Sequence, residues 1–143
     1  MNDDWFVIRD PIHGFIKLTN LEKNIIKTPE FQRLRRISQL SWTNMVYPSS
    51  NHTRFEHSIG VLHLADRMYS TIWAKSNSIL DDHDISADQK ERYRIIVRLA
   101  ALLHDIGHGP FSHTSDEFFP SKDNGKLWRS EERRVGKECR SRW

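Results

Sequence analysis

Eight histidines lie between His13 and His113, and four of them have neighbours that give them chemical partners. Arg54-Phe55-Glu56-His57 forms one group, His104-Asp105 a second, and His108-Gly109-Pro110-Phe111-Ser112-His113 a third. Neutral imidazole with a carboxylate oxygen suits Zn, Fe, Mn, Co or Ni, with Mg the further alternative. The one thiol, Cys139, is far along the chain from these groups. Adjacent residues on a helix point about 100° apart, so His104 and Asp105 share an ion only if it sits astride their edge of the helix. The C-terminus of a helix carries partial negative charge, which favours a cation there. His57 from a second helix would complete three ligands. Arg54, one turn before His57, shares its face and is placed to reach an anion beside the metal. Spacing alone leaves His57 equally readable as an interior histidine, and the His-Asp pair as a helix-end hydrogen bond. His63 and His83 read as structural or solvent-exposed, and His52 is ambiguous.

The elements that must position these residues are mostly helical. Trp5–Ile8 and Phe15–Leu18 are β-prone runs around the turn residues Asp10-Pro11-Ile12-His13-Gly14, which predicts a small hairpin. Thr28-Pro29 predicts a helix start, with Phe31, Leu34, Ile37 and Leu40 as one buried stripe and Arg33, Arg35 and Arg36 on a solvated face. After the polar loop Tyr47–Asn51, Thr53 and Glu56 fit a capping box. It opens a helix running to about Lys75 through Phe55, Ile59, Leu62, Ala65/Asp66, Tyr69, Ile72 and Trp73. Ser86 and Gln89 fit a second box, opening a helix through Tyr93, Ile96, Val97, Ala100 and Leu103 that Gly107, Gly109 and Pro110 stop.

Composition bounds the rest. The 143 residues are 37% hydrophobic and 29% charged, enough for one compact domain or a piece of one. A single cysteine excludes an internal disulfide framework, and the acidic start offers no apolar leader. No apolar run approaches a membrane span, so a reducing cytoplasm is the expected compartment. Residues 129–143 differ from the rest, with one aliphatic residue in fifteen. They resemble the translation of a standard short-read sequencing adapter, which implies a non-native, disordered tail behind residues 1–128. The tail holds six of the 22 basic and three of the 19 acidic residues, leaving 16 of each in residues 1–128. The net charge of +3 therefore belongs to the tail and says nothing about an anionic partner.

Asp10-Pro11-Ile12-His13-Gly14, Thr28-Pro29-Glu30-Phe31-Gln32-Arg33-Leu34-Arg35, Arg54-Phe55-Glu56-His57-Ser58 and the stretch His104 to His113 occur in that order. Together they resemble the N-terminal part of an HD-domain phosphohydrolase, nearest in pattern to the deoxynucleoside triphosphate triphosphohydrolases. The resemblance implies a mainly α fold, an incomplete HD-domain helical bundle with a short N-terminal β-hairpin. It implies His57, His104 and Asp105 as metal ligands, and His108 and His113 as catalytic loop histidines with Asp116 supporting them. Arg54 maps to a phosphate-contacting arginine, and Gln39-Leu40 to a pair lining a nucleoside pocket. Gln32 and Arg35 match a regulatory nucleotide site of some members, although Lys27 stands where those members carry an acidic base-reading group. After Trp128 the family commonly has a His-Glu pair, and later a further Asp ligand; here the adapter-like string begins instead.

The resemblance implies hydrolysis of a deoxynucleoside triphosphate, dGTP-like, to deoxynucleoside and triphosphate by a homo-oligomeric parent, with this fragment inactive. The alternatives are another HD enzyme acting on a cyclic nucleotide or nucleoside monophosphate, and a non-catalytic nucleotide- or nucleic-acid-binding fragment. Nucleic-acid binding through Arg33, Arg35 and Arg36 would be strongly salt-dependent, and no base-reading residues accompany them.

Overall fold

The computed structural model describes residues 5–75 and 85–110. Strands β1 (Phe6–Asp10) and β2 (Gly14–Leu18) pair antiparallel, with Phe6 opposite Leu18 and Ile8 opposite Ile16. The Asp10 carboxylate accepts from the Ile12 and His13 backbone N–H groups at 2.9 and 2.7 Å, and Gly14 takes the left-handed φ of 75° that the turn requires. The hairpin is the one predicted, slightly longer at its first strand's far end.

Helix α1 (Asn20–Ile26) was not among the sequence expectations. Its signal was present: Thr19 and Glu22 form a reciprocal capping box, the Thr19 N–H donating to the Glu22 carboxylate at 2.8 Å. Thr28 then caps α2 (Pro29–Gln32) as predicted. The expected long helix does not follow. α2 is four residues long and passes into a 3₁₀ turn, Arg33–Arg36. Phe31, Leu34 and Ile37 are buried as expected, but their strict three-residue spacing is that of a 3₁₀ helix, which eclipses side chains at i and i+3. At Ile37 and Ser38 the chain is extended before it turns at Gln39: Ser38 bridges to Thr53, Gln39 N–H donates to the His52 carbonyl, and Arg54 N–H donates to the Ile37 carbonyl. Leu40 is therefore exposed rather than part of the stripe.

Helix α3 (Arg54–Lys75) packs against α4 (Ala87–Leu103). Both predicted starts are found. Ser86 and Gln89 make the full reciprocal box, whereas at Thr53 the Glu56 carboxylate accepts from the Thr53 N–H at 2.7 Å and from its hydroxyl at 3.4 Å. The buried face of α3 is Phe55, Ser58, Ile59 and Leu62, with Ile72 exposed. On α4 the predicted stripe is corrected. Tyr93, Ile96, Val97 and Ala100 are exposed, and the buried residues are Arg98 and Leu102. α4 carries apolar residues on two sides, so periodicity could not choose between them.

Arg98 explains the choice. Its guanidinium donates to both Glu22 oxygens at 2.7 and 2.8 Å and to the Lys17 carbonyl at 2.9 Å, and it pairs with Asp66 at 2.7 Å. One buried arginine thus ties β2, α1, α3 and α4 together. The core beneath is Ile16, Leu18, Ile26, Phe31, Leu34, Ile37, Phe55, Ile59, Leu62 and Leu102.

Candidate metal centre

The first turn of α3 and the last turn of α4 meet at the end of this core, bringing Arg54 and His57 against His104 and Asp105. His104 occupies the C-cap of α4, and Asp105 follows it into the turn ending at His108. His57 Nε2 lies 3.2 Å from His104 Nε2 and 3.8 Å from Asp105 Oδ2, and His104 Nε2 is 3.6 Å from Asp105 Oδ1. Ligand atoms each about 2.0–2.2 Å from a shared ion stand roughly 3–3.6 Å apart, so the three donors fit one divalent metal with little movement. Among the described residues no other group of three such side chains converges in this way. The two histidines are about one-third exposed and the acid is buried.

The surroundings suit ligation. His104 Nδ1 faces the Ala101 carbonyl at 2.7 Å, a contact that puts the ring proton on Nδ1 and leaves the Nε2 lone pair toward the cluster. Burial lowers the His57 pKa against the raising influence of Asp105, with His104 and Arg54 lowering it further, so the ring is neutral at physiological pH. Burial opposes ionisation of Asp105. The His108 ring and the Arg54 guanidinium overcome that penalty and hold its carboxyl well below the usual carboxylate range. Arg54 Nη1 is 2.6 Å from Asp105 Oδ2, and His108 Nε2 is 3.2 Å from Asp105 Oδ1. Each carboxylate oxygen carries two lone pairs, so these contacts orient the acid and leave it able to bind a cation.

The structure therefore brings together five predicted residues: Arg54, His57, His104, Asp105 and His108. His113 and Asp116, and the tail beyond Trp128, lie outside the described residues. Gln39 and Leu40 sit in the turn that follows the Ser38–Thr53 bridge, the Gln39 N–H donating to the His52 carbonyl and the Leu40 carbonyl accepting from the Thr43 N–H. Gln39 Oε1 is buried with no hydrogen-bond partner among the described residues, and Leu40 is exposed. Gln32 and Arg35 are together: Arg35 Nε donates to Gln32 Oε1 at 2.9 Å, and its guanidinium stacks 3.5 Å over the Phe55 ring. Two of the remaining histidines, His13 and His63, pair with each other at a ring separation of 5.3 Å, away from the cluster. Gly60 makes room for this pair, since a Cβ there would stand 3.1 Å from His13 Nε2.

Sequence reasoning missed Arg33. Read as part of a solvated face, it donates to the carbonyls of Ile106 and His108. Nothing in its local sequence distinguishes it from Arg36.

The HD-domain family model matches residues 54–140, well over half of the chain. The chain belongs to the HD-domain family. Among proteins of similar sequence, the deoxynucleoside triphosphate triphosphohydrolase SAMHD1 of Homo sapiens is 44% identical over 131 residues, 91% of this chain and 20% of that protein. The same enzyme of Gallus gallus is 42% identical over 126 residues, 87% of this chain and 19% of that protein. An uncharacterised protein, MJ1154, of Methanocaldococcus jannaschii is 47% identical over 108 residues, 76% of this chain and 20% of that protein. The chain spans about a fifth of the length of the relatives it matches.

Proposed function

We propose that this chain is part of a metal-dependent phosphohydrolase that cleaves a deoxynucleoside triphosphate, dGTP-like, into deoxynucleoside and inorganic triphosphate. The observation that carries the reading is the His57–His104–Asp105 cluster with Arg54 and His108 bound to its acid, in a sequence similar to proteins named for that reaction. His57, His104 and Asp105 would hold the metal, of the Zn, Fe, Mn, Co, Ni or Mg class. When bound, such a metal supplies Lewis-acid polarisation of a phosphoryl oxygen and acidifies water.

The chain's own side chains supply the rest. Arg54, fixed against Asp105, brings positive charge to the edge of the cluster, where charge develops on phosphate oxygens. His108 lies beside the same carboxylate, within reach of the phosphates. His113 is assigned the general acid toward the leaving 5′ oxygen, oriented by Asp116. The buried, unpartnered Gln39 Oε1 is an acceptor suited to a nucleoside donor, and Leu40 offers apolar surface beside it. Gln32 and Arg35 are assigned to a regulatory nucleotide, with Lys27 altering base preference, and the intact protein to a homo-oligomer in the cytoplasm. No helix among the described residues is long and apolar enough to cross a membrane.

Residues 129–143 are assigned to an adapter-derived tail, and this 143-residue chain to little or no turnover. The test is a substrate panel run on a protein extended to the length of its relatives, scored for triphosphate, pyrophosphate or phosphate release. Triphosphate release from a deoxynucleotide, abolished by His104→Ala with Asp105→Ala, is expected. Turnover retained in that variant would overturn the assignment of the site. Release of monophosphate from a cyclic nucleotide, or of phosphate from a nucleoside monophosphate, would overturn the substrate class.

A further inference from the structure

The turn that carries His108 is held from outside its own helix. The last carbonyls of an α-helix lack intrahelical partners. After α4, the local bonds Ile106 N–H to Leu103 O and His108 N–H to Asp105 O close the turn at 3.1 and 3.0 Å. They use the N–H groups and leave the carbonyls of Ile106 and His108 facing outward. Both carbonyls are taken by Arg33, whose Nη2 donates to Ile106 O at 2.7 Å and whose Nη1 donates to His108 O at 2.8 Å. Arg33 belongs to the 3₁₀ turn, so these two bonds join the N-terminal layer to the loop at the metal centre.

We propose that Arg33 is a positioning residue of the metal centre: its guanidinium fork sets the backbone of Ile106–His108 so that the His108 ring meets Asp105. Asp105 is then gripped from two sides, by His108 at Oδ1 and by Arg54 at Oδ2. The fork is what the site uses. Arg33 is exposed, so its charge is screened and contributes little by attraction alone. Two donors on separate nitrogens of one rigid plane fix the spacing of the two carbonyls, a geometry that the single rotatable nitrogen of a lysine does not impose. The inference rests on the metal-centre reading above, but its structural half, the coupling of Arg33 to His108, is measurable without metal.

The experiment compares the wild-type 143-residue chain with Arg33→Gln, Arg33→Lys and, as a control, the exposed neighbour Arg36→Gln. Imidazole nitrogen resonances are recorded at one fixed pH, with Mn²⁺ affinity as a second readout. In Arg33→Gln the His108 nitrogens should move to the values of an unrestrained ring while those of His13 and His63 stay in place. Mn²⁺ should bind about tenfold more weakly, the lower end of the loss expected when an outer support of a ligand is removed. Arg33→Lys should move the His108 nitrogens part of the way, and Arg36→Gln not at all. Unmoved His108 nitrogens in Arg33→Lys and Arg33→Gln would overturn the proposal. So would a common shift of all the histidines, the mark of general loosening. If Arg33→Gln fails to fold, Arg33→Lys, which keeps charge and stem, decides alone. Failure of the wild-type chain to bind Mn²⁺ would contradict the metal-centre reading and, with it, the role assigned to Arg33 there; the coupling to His108 is judged separately by the nitrogen resonances.

Discussion

At the residue scale, Asp105 must stay ionised while buried among side chains from two helices and a turn. Arg54 makes that tolerable, and neither side chain is more than a few per cent exposed. Removing one partner of a buried pair strands the other, so Arg54→Ala should cost about 3–5 kcal/mol in a urea unfolding titration. A loss under about 1 kcal/mol would show that the pair is solvated. Asp66 offers a pH test away from the metal centre. Burial opposes its ionisation, but hydrogen bonds from Arg94 and the charge of Arg98 hold its pKa below the ordinary 3.8. The folded carboxyl therefore takes up a proton less readily than the unfolded one. Its stabilisation is complete above 3.8 and fades as pH falls through the lower folded value. Urea midpoints of wild type and Asp66→Asn should differ most near neutrality and converge as pH drops below that range; a constant gap would contradict the shift. The convergence of His57, His104 and Asp105 was legible from the four ordered motifs together, since spacing alone leaves the His-Asp pair equally readable as a helix-end hydrogen bond. Arg33 and Arg98 were not, because an arginine on a helix is usually solvated and their partners lie far off in sequence, His108 75 residues from Arg33 and Glu22 76 from Arg98.

At the element scale, the starts of helices were easier to read than their lengths or their inner faces. Thr28 and Ser86 announce α2 and α4 through side-chain chemistry that acts within three residues. The end of α2 is set instead by the bridge between Ser38 and Thr53, a tertiary pairing that local sequence does not encode. The buried side of α4 is likewise decided by Glu22 and Asp66 receiving Arg98. That choice predicts unequal costs on one helix. Leu102→Ala, at a fully buried position, should lose about 2–5 kcal/mol, whereas Ile96→Ser, at a half-exposed one, should stay within about 0.5 kcal/mol. Thermal or urea unfolding of both variants checks it, and the reverse order would restore the face that periodicity suggested.

At the scale of the whole molecule, the mainly helical architecture with an N-terminal hairpin was readable from turn residues and periodicity, and the membership in the HD family from four ordered motifs. The packing of the hairpin onto α3 through His13 and Gly60 was not, since it joins residues far apart along the chain. The basic pI of about 9.2 comes from the last fifteen residues alone. Deleting residues 129–143 should leave the unfolding midpoint and metal affinity unchanged while cation-exchange retention falls; a loss of stability would make the tail part of the fold. The most direct test of the metal centre is equilibrium metal content. Dialysed against Mn²⁺ or Fe²⁺ and measured by elemental analysis, the wild-type chain should hold about one ion, and the His104→Ala/Asp105→Ala double variant almost none. Equal metal content in the two would contradict the assignment of His57, His104 and Asp105 as the ligand set.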